Sequence, residues 1–123
     1  MKTWQTLALV GLLTAGQAEA LGDIDAQRGE QVWQMRCSGC HSLDENRVGP
    51  RHRGVWGRVA GSVEGFRYSS AVRALGVTWN DDTLDRWLAD PEAMAPGQRM
   101  GYQITDAGER RLLIAYLRTL KTP

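Results

Sequence analysis

The apolar residues of this chain fall into three stretches with a helical period, separated by long segments that have none. From about Asp25 to Arg36, Val32 and Met35 lie on one face beside Trp33, and Asp23 or Asp25 stands where an N-terminal cap is needed. Met35 is accordingly expected in the core. A second helix is predicted to begin near Asn80. Asp81 and Asp82 suit its positive end, Leu84, Trp87 and Leu88 form an i, i+3, i+4 stripe, and Pro91 stops it. The third starts at Thr105 or Asp106, where Asp106 and Glu109 resemble a capping box. Leu113, Tyr116, Leu117 and Leu120 form its buried stripe, and Arg118 and Lys121 complement its C-terminal dipole.

The intervening segments are rich in turn residues. Residues 42–67 contain Gly49, Pro50, Gly54, Gly57, Gly61 and Gly65, and residues 91–104 contain Pro91, Pro96, Gly97 and Gly101. Loops of this length argue against a compact domain unless they wrap something rigid. Three modest helices in roughly 100 residues also make a thin core. A bound prosthetic group meets both difficulties, and the expectation is an all-α fold of three main helices with long loops wrapped around one.

Residues 1–20 read as a cleaved signal peptide. Lys2 supplies a positive start, Leu7 to Thr14 a short apolar run interrupted by Gly11, and Ala18-Glu19-Ala20 a small-x-small cleavage pattern. The apolar run is too short to span a bilayer, which takes ~20 residues. The predicted organisation is a leader, 1–20, and a single domain, 21–123, exported to a bacterial periplasm.

Composition narrows the function. The 123 residues carry 15 basic and 14 acidic side chains, a net charge of +1, which argues against a nucleic-acid binder. Two cysteines exclude a disulfide-dense scaffold. Both lie in Cys37-Ser38-Gly39-Cys40-His41, and one of the chain's two histidines closes the run. C-x-x-C-H is the attachment signature of c-type haem: two thiols add to the two vinyl groups, and the adjacent imidazole reaches the iron. A thioredoxin-like dithiol would follow a β-strand, and none is predicted here. A zinc site would need His52, which lies in a Gly/Pro/Arg loop without paired spacing.

Met35, Met94, Met100 and His52 are the candidates for the iron's sixth ligand. Met35 precedes His41 too closely to reach the opposite ring face. Met100 follows the turn Pro96-Gly97-Gln98-Arg99, which can present its sulfur rigidly, and ranks above Met94. His52 is close behind His41 and belongs on the proximal side.

At this point the sequence resembles the class I cytochromes c of the small mitochondrial and bacterial type, over essentially the whole of residues 21–123. The resemblance rests on Gly29 to Trp33, on Cys37 to His41, and on Val48-Gly49-Pro50 with Gly54-Val55-Trp56-Gly57-Arg58. It continues through Gly65-Phe66-Arg67-Tyr68-Ser69 to Trp79, through Leu84 to Met100, and through Leu113-Ile114-Ala115-Tyr116-Leu117. It implies one covalent haem c, thioether-linked at Cys37 and Cys40, with His41 as proximal and Met100 as distal ligand. Pro50 matches the residue whose carbonyl accepts the imidazole N–H, and Arg58, Tyr68 and Trp79 match residues that hydrogen-bond a buried propionate. Trp87 matches an aromatic beside the distal sulfur, and Gly29 the small residue where first and last helices cross. Trp33, Trp56 and Tyr116 are expected to be simple packing. Four positions depart from the pattern: His52 replaces a common leucine, Gln98 a threonine, Val72 an asparagine, and Trp87 a usual tyrosine, whose hydroxyl it lacks.

The expected function is one-electron transport between respiratory or dehydrogenase partners, by transient docking of a monomer without stable membrane insertion. An oxidase, reductase or dehydrogenase would be the partner. No acid/base pair, nucleophile triad or phosphate loop is present, so no catalytic residue is assigned and the chain reads as a non-enzyme. The alternative is a haem enzyme or ligand-binding sensor with a labile distal site. Of the 15 basic residues only Lys2 and Lys121 are lysine. Arg47, Arg51, Arg53 and Arg58 cluster in one loop, and a ring of Arg36, Arg51 and Arg99 around the haem edge could steer an acidic partner.

Overall fold

The computed structural model describes Met1 and residues 10–123; Lys2 and Leu7–Leu9 of the expected leader lie outside the described residues. Among the described residues five helices appear, in the order α1 (Ala15–Arg36), α2 (Ser70–Arg73), α3 (Asp81–Ala89), α4 (Pro91–Met94) and α5 (Ala107–Thr119). Among the described residues there is no strand, only an isolated antiparallel bridge between Val59 and Thr78.

α1 begins ten positions earlier than the sequence suggested. Thr14 caps it in a full capping box with Gln17, and it runs straight through Ala18-Glu19-Ala20. The early turns had no apolar stripe to reveal them, and they have no packing either: every residue from Ala15 to Ile24 is exposed. Contact with the body of the molecule begins at Asp25, whose carboxylate accepts from Arg111 of α5 at 2.7 Å. From there α1 lies against α5. At the crossing a Cβ on Gly29 would sit 1.9 Å from the carbonyl oxygen of Leu112, so only glycine lets the two backbones meet.

α3 and α5 follow their predicted stripes. Asn80 caps α3 and exchanges hydrogen bonds with Thr83. Asp106 caps α5 through the Glu109 N–H at 2.8 Å. The capping box is half made, because the Glu109 carboxylate binds Arg36 of α1 instead. Pro91 ends α3 as expected and at once opens α4, with Asp90 as its cap. α2 and α4 are single turns that the hydrophobic period could not reveal. Val32, Trp33, Leu84, Leu88, Ile104, Leu113, Ile114, Tyr116 and Leu117 form the core, each large side chain contributing about 1.5–3 kcal/mol by leaving water. Met35 is not among them. It is exposed on the outer face of α1, since the helix turns Val32 and Trp33 inward instead.

Candidate haem site

The Cys37–His41 segment unwinds from the C-terminus of α1. Trp33's carbonyl accepts from the N–H groups of Cys37 and Ser38, and Cys37's carbonyl from those of Cys40 and His41. The tight turn puts the two thiols in unlike surroundings: Cys37 is buried and Cys40 exposed. Burial, helped by neighbouring Cys40, pushes the Cys37 thiol up to about 12.

His41 is buried, and its Nδ1 lies 2.8 Å from the carbonyl oxygen of Pro50. That oxygen can only accept, so Nδ1 carries the proton. Burial holds the imidazole below its ordinary range against the opposing pull of Pro50, with Arg47 adding to the depression. A neutral ring protonated at Nδ1 leaves Nε2 with a free lone pair, which is the state of a metal-ligating histidine. Gly49 closes over the ring. A Cβ there would fall 2.1 Å from His41 Cε1, so no other residue fits.

His52, in the sequence only a departure from pattern, stacks on His41 with ring centroids 3.9 Å apart and planes 24° from parallel. Its Nδ1 accepts from the indole N–H of Trp33 at 2.8 Å. Trp33 is therefore more than packing, and so is Trp56. The half-buried Trp56 donates to Asp81 at 2.9 Å and has the Arg118 and Lys121 cations over its ring. Tyr116 keeps its expected role, buried edge-on to Trp33.

Arg58 and Trp79 are brought together by backbone pairing: the Trp79 N–H donates to the Arg58 carbonyl at 2.8 Å and the Gly57 N–H to the Trp79 carbonyl at 2.6 Å. The Arg58 guanidinium turns inward onto the carbonyls of Arg51 and Arg53, and its partial burial lowers its basicity despite nearby Tyr68. The Tyr68 hydroxyl accepts from the Val63 N–H at 3.0 Å, which leaves its own proton to donate. Trp87 packs half-buried against Trp79, ring centroids 5.5 Å apart. Val72, on α2, is buried.

Met94 packs against the core from α4. Met100 is half-buried in a loop bounded by Gly97 and Gly101, both with positive φ. Side chains hold this loop. Glu92 accepts from the Gly97 N–H and from Gln98 Nε2, each at 3.0 Å, and Gln98 Oε1 accepts from the Gly101 N–H at 2.8 Å. Glu92 was not singled out from sequence, since a lone surface carboxylate carries no pattern.

Most of the arginine cluster is committed internally. Arg47 donates to the carbonyls of Ser38, Gly39 and His41, and Arg53 pairs with Asp44. Arg36 pairs with Glu109 and reaches Tyr102. The proposed ring of Arg36, Arg51 and Arg99 thus has Arg36 tied to α5.

The residues fit a covalent haem. Two thiols three residues apart, a neutral imidazole with its Nε2 free, a glycine admitting no side chain over that imidazole, and a cluster of donors at Arg58, Tyr68 and Trp79 match the group's four demands in kind. Fold and site together define an all-α c-type haem domain. The sequence model of the family Cytochrome c matches residues 26–121. Cytochrome c of Gibberella zeae is 40% identical over 98 residues, covering 76% of this chain and 92% of that protein. Cytochrome c2 of Blastochloris viridis is 38% identical over 111 residues, covering 87% of this chain and 86% of that one. The solved structure of cytochrome cH from Methylobacterium extorquens superposes with a TM-score of 0.74 at 39% identity, covering 77% of this chain and 98% of its own. The chain belongs to the cytochrome c family, as a class I member, an electron carrier that binds haem c.

Proposed function

We propose that this chain is an exported bacterial one-electron carrier, with residues 1–20 cleaved and residues 21–123 active in the periplasm. Cys37 and Cys40 would form the thioether links, and His41 Nε2 and the Met100 sulfur would hold the iron. Haem c, when bound, supplies a one-electron ferrous/ferric couple, and a thioether ligand favours the ferrous state. The chain's own residues do the rest. Pro50 fixes the His41 tautomer and raises the ring's basicity. Arg58, Tyr68 and Trp79 would donate to a propionate that would otherwise be a costly buried charge. Trp87 with Trp79 excludes water.

The observation that carries the reading is the His41–Pro50 contact directly behind the two thiols. If His41 Nε2 and Met100 both hold the iron, no position remains for a substrate, which favours a carrier over an enzyme or sensor. Cleavage after Ala20 suits the packing: it removes only exposed turns of α1 and leaves Asp23 and Asp25 at the new positive end of the helix. No helix among the described residues is long and apolar enough to cross a membrane. The partners we propose are an oxidase, reductase or dehydrogenase met in transient encounters by a monomer.

The test is the visible spectrum of the purified protein, oxidised and reduced. We expect a weak ferric band near ~695 nm, the mark of methionine ligation, that Met100→Ala abolishes while covalent haem is retained. Haem without that band would point to an open or bis-histidine site, and a colourless protein from a haem-competent host would overturn the reading.

A further inference from the structure

We infer that His52 is a positioning residue for the proximal imidazole, and that Trp33 holds it there, so that the plane of the His41 ring is set by a Trp33–His52–His41 relay as well as by Pro50. The inference deepens the proposed function and rests on its assignment of His41 as the iron ligand.

A single hydrogen bond fixes one point of an imidazole. Nδ1 of His41 is held by Pro50, and the ring can still swing about that contact. The 3.9 Å stack with His52 supplies the second constraint, a flat surface against the ring. His52 is itself held at both ends. Its backbone N–H donates to the Ser42 carbonyl at 3.0 Å, immediately after His41, and its carbonyl accepts from Val55 at 2.9 Å. Its ring is pinned by the Trp33 indole across 19 residues of sequence. Trp33 is also the residue whose carbonyl caps the turn into Cys37 and Ser38. One α1 side chain thus links the thiol turn, the proximal loop and the proposed ligand.

The relay also decides charge. An indole N–H can only donate, so His52 Nδ1 keeps its lone pair, and the ring is neutral with its proton on Nε2. A cationic imidazole could not accept this bond. A neutral ring against the ligand spares the oxidised iron the repulsion that a stacked cation would impose. The leucine common at this position in the resembled family would fill the space, yet leave the indole of Trp33 without its acceptor.

The test uses the mature haem protein with His52→Leu, Trp33→Phe and the double variant. The readouts are the g-value spread of the ferric EPR spectrum, the haem-methyl proton shifts, both of which report the axial imidazole plane, and the reduction potential. We expect each single variant to move all three, and the double variant to move them no further than the larger single. Nitrogen-15 NMR of the wild type should find His52 Nδ1 unprotonated and coupled to the Trp33 indole. Unchanged spectra and potential in the singles, effects that simply sum in the double, or a protonated Nδ1 would each overturn the inference. If His52→Leu does not retain haem, Trp33→Phe decides alone by the same spectra. A wild type without low-spin haem would overturn the ligand assignment and this inference together, whereas a low-spin wild type with silent variants overturns the inference only.

Discussion

His41 and Met100, the two proposed iron ligands, sit in settings that share almost nothing. The His41 ring is buried, bonded to a backbone carbonyl, stacked on His52 and covered by a glycine that tolerates no Cβ. Met100 is half-buried in a loop whose shape depends on two left-handed glycines and on three hydrogen bonds made by the side chains of Glu92 and Gln98, within reach of water. Constraints of the first kind are lost only by unpacking the domain. Those of the second kind are exposed hydrogen bonds that compete with water and open locally. Tuning should therefore fall on one side of this chain: the thiol–histidine side is built into the packed domain, and the methionine side can change without disturbing the core.

The largest break in this comparison should come from Gly49→Ala. Its methyl would meet the His41 ring, 2.1 Å from Cε1, and that ring is held by Pro50 and stacked on His52, an overpacking that costs about 1–3 kcal/mol or more. We expect covalent haem, read by mass and absorbance, to fall severalfold. Gly29→Ala should cost a similar amount, about 3 kcal/mol, by separating α1 from α5, and chemical denaturation checks it. It should leave the ligand spectrum of the surviving folded protein unchanged.

Next in size is the distal loop. Glu92→Ala removes the acceptor for two of its hydrogen bonds, and Gln98→Ala the donor of one and the acceptor of another. Each should lower the temperature at which the ~695 nm band disappears, with little change in the global melting temperature. A proximal lesion should instead shift both together.

The smallest effect concerns acid. Hydrogen bonds from Gln98 and Gly97 hold the Glu92 carboxyl below the ordinary carboxylate range. The ionised form is therefore the one the folded loop prefers. Its contribution is complete above the unfolded value, about 4.3, and fades as pH falls through the lower folded value. A pH titration of the ~695 nm band should show a small acid loss, and Glu92→Gln should flatten it.

The parts of this account that were legible in sequence are those with local rules. α3 and α5 announced themselves through Asn80, Asp106 and their stripes, and the haem chemistry through Cys37 to His41. The start of α1 was hidden, because Ala15 to Gly22 buries nothing and includes Gly16 and Gly22, poor helix formers. α2 and α4 are too short to show a period. Met35 shares an i, i+3 spacing with Val32, but the inner face of α1 runs through Gly29, Val32 and Trp33 and leaves Met35 outside. The His52–Trp33 bond was illegible because it joins positions 19 apart, and only the assembled fold brings them together. Pro50, Arg58, Tyr68 and Trp79 were named through family resemblance, and no local pattern marks them.

Native-state hydrogen exchange in the mature haem protein tests the central contrast most directly. The Gly49 N–H, bonded to the Cys40 carbonyl, and the indole N–H of Trp33 report the proximal side; the Gly97 and Gly101 N–H groups report the methionine loop. The first pair should exchange only with global unfolding, and the second should open well before it. Equal protection of the two pairs, or a proximal side that opens first, would contradict it.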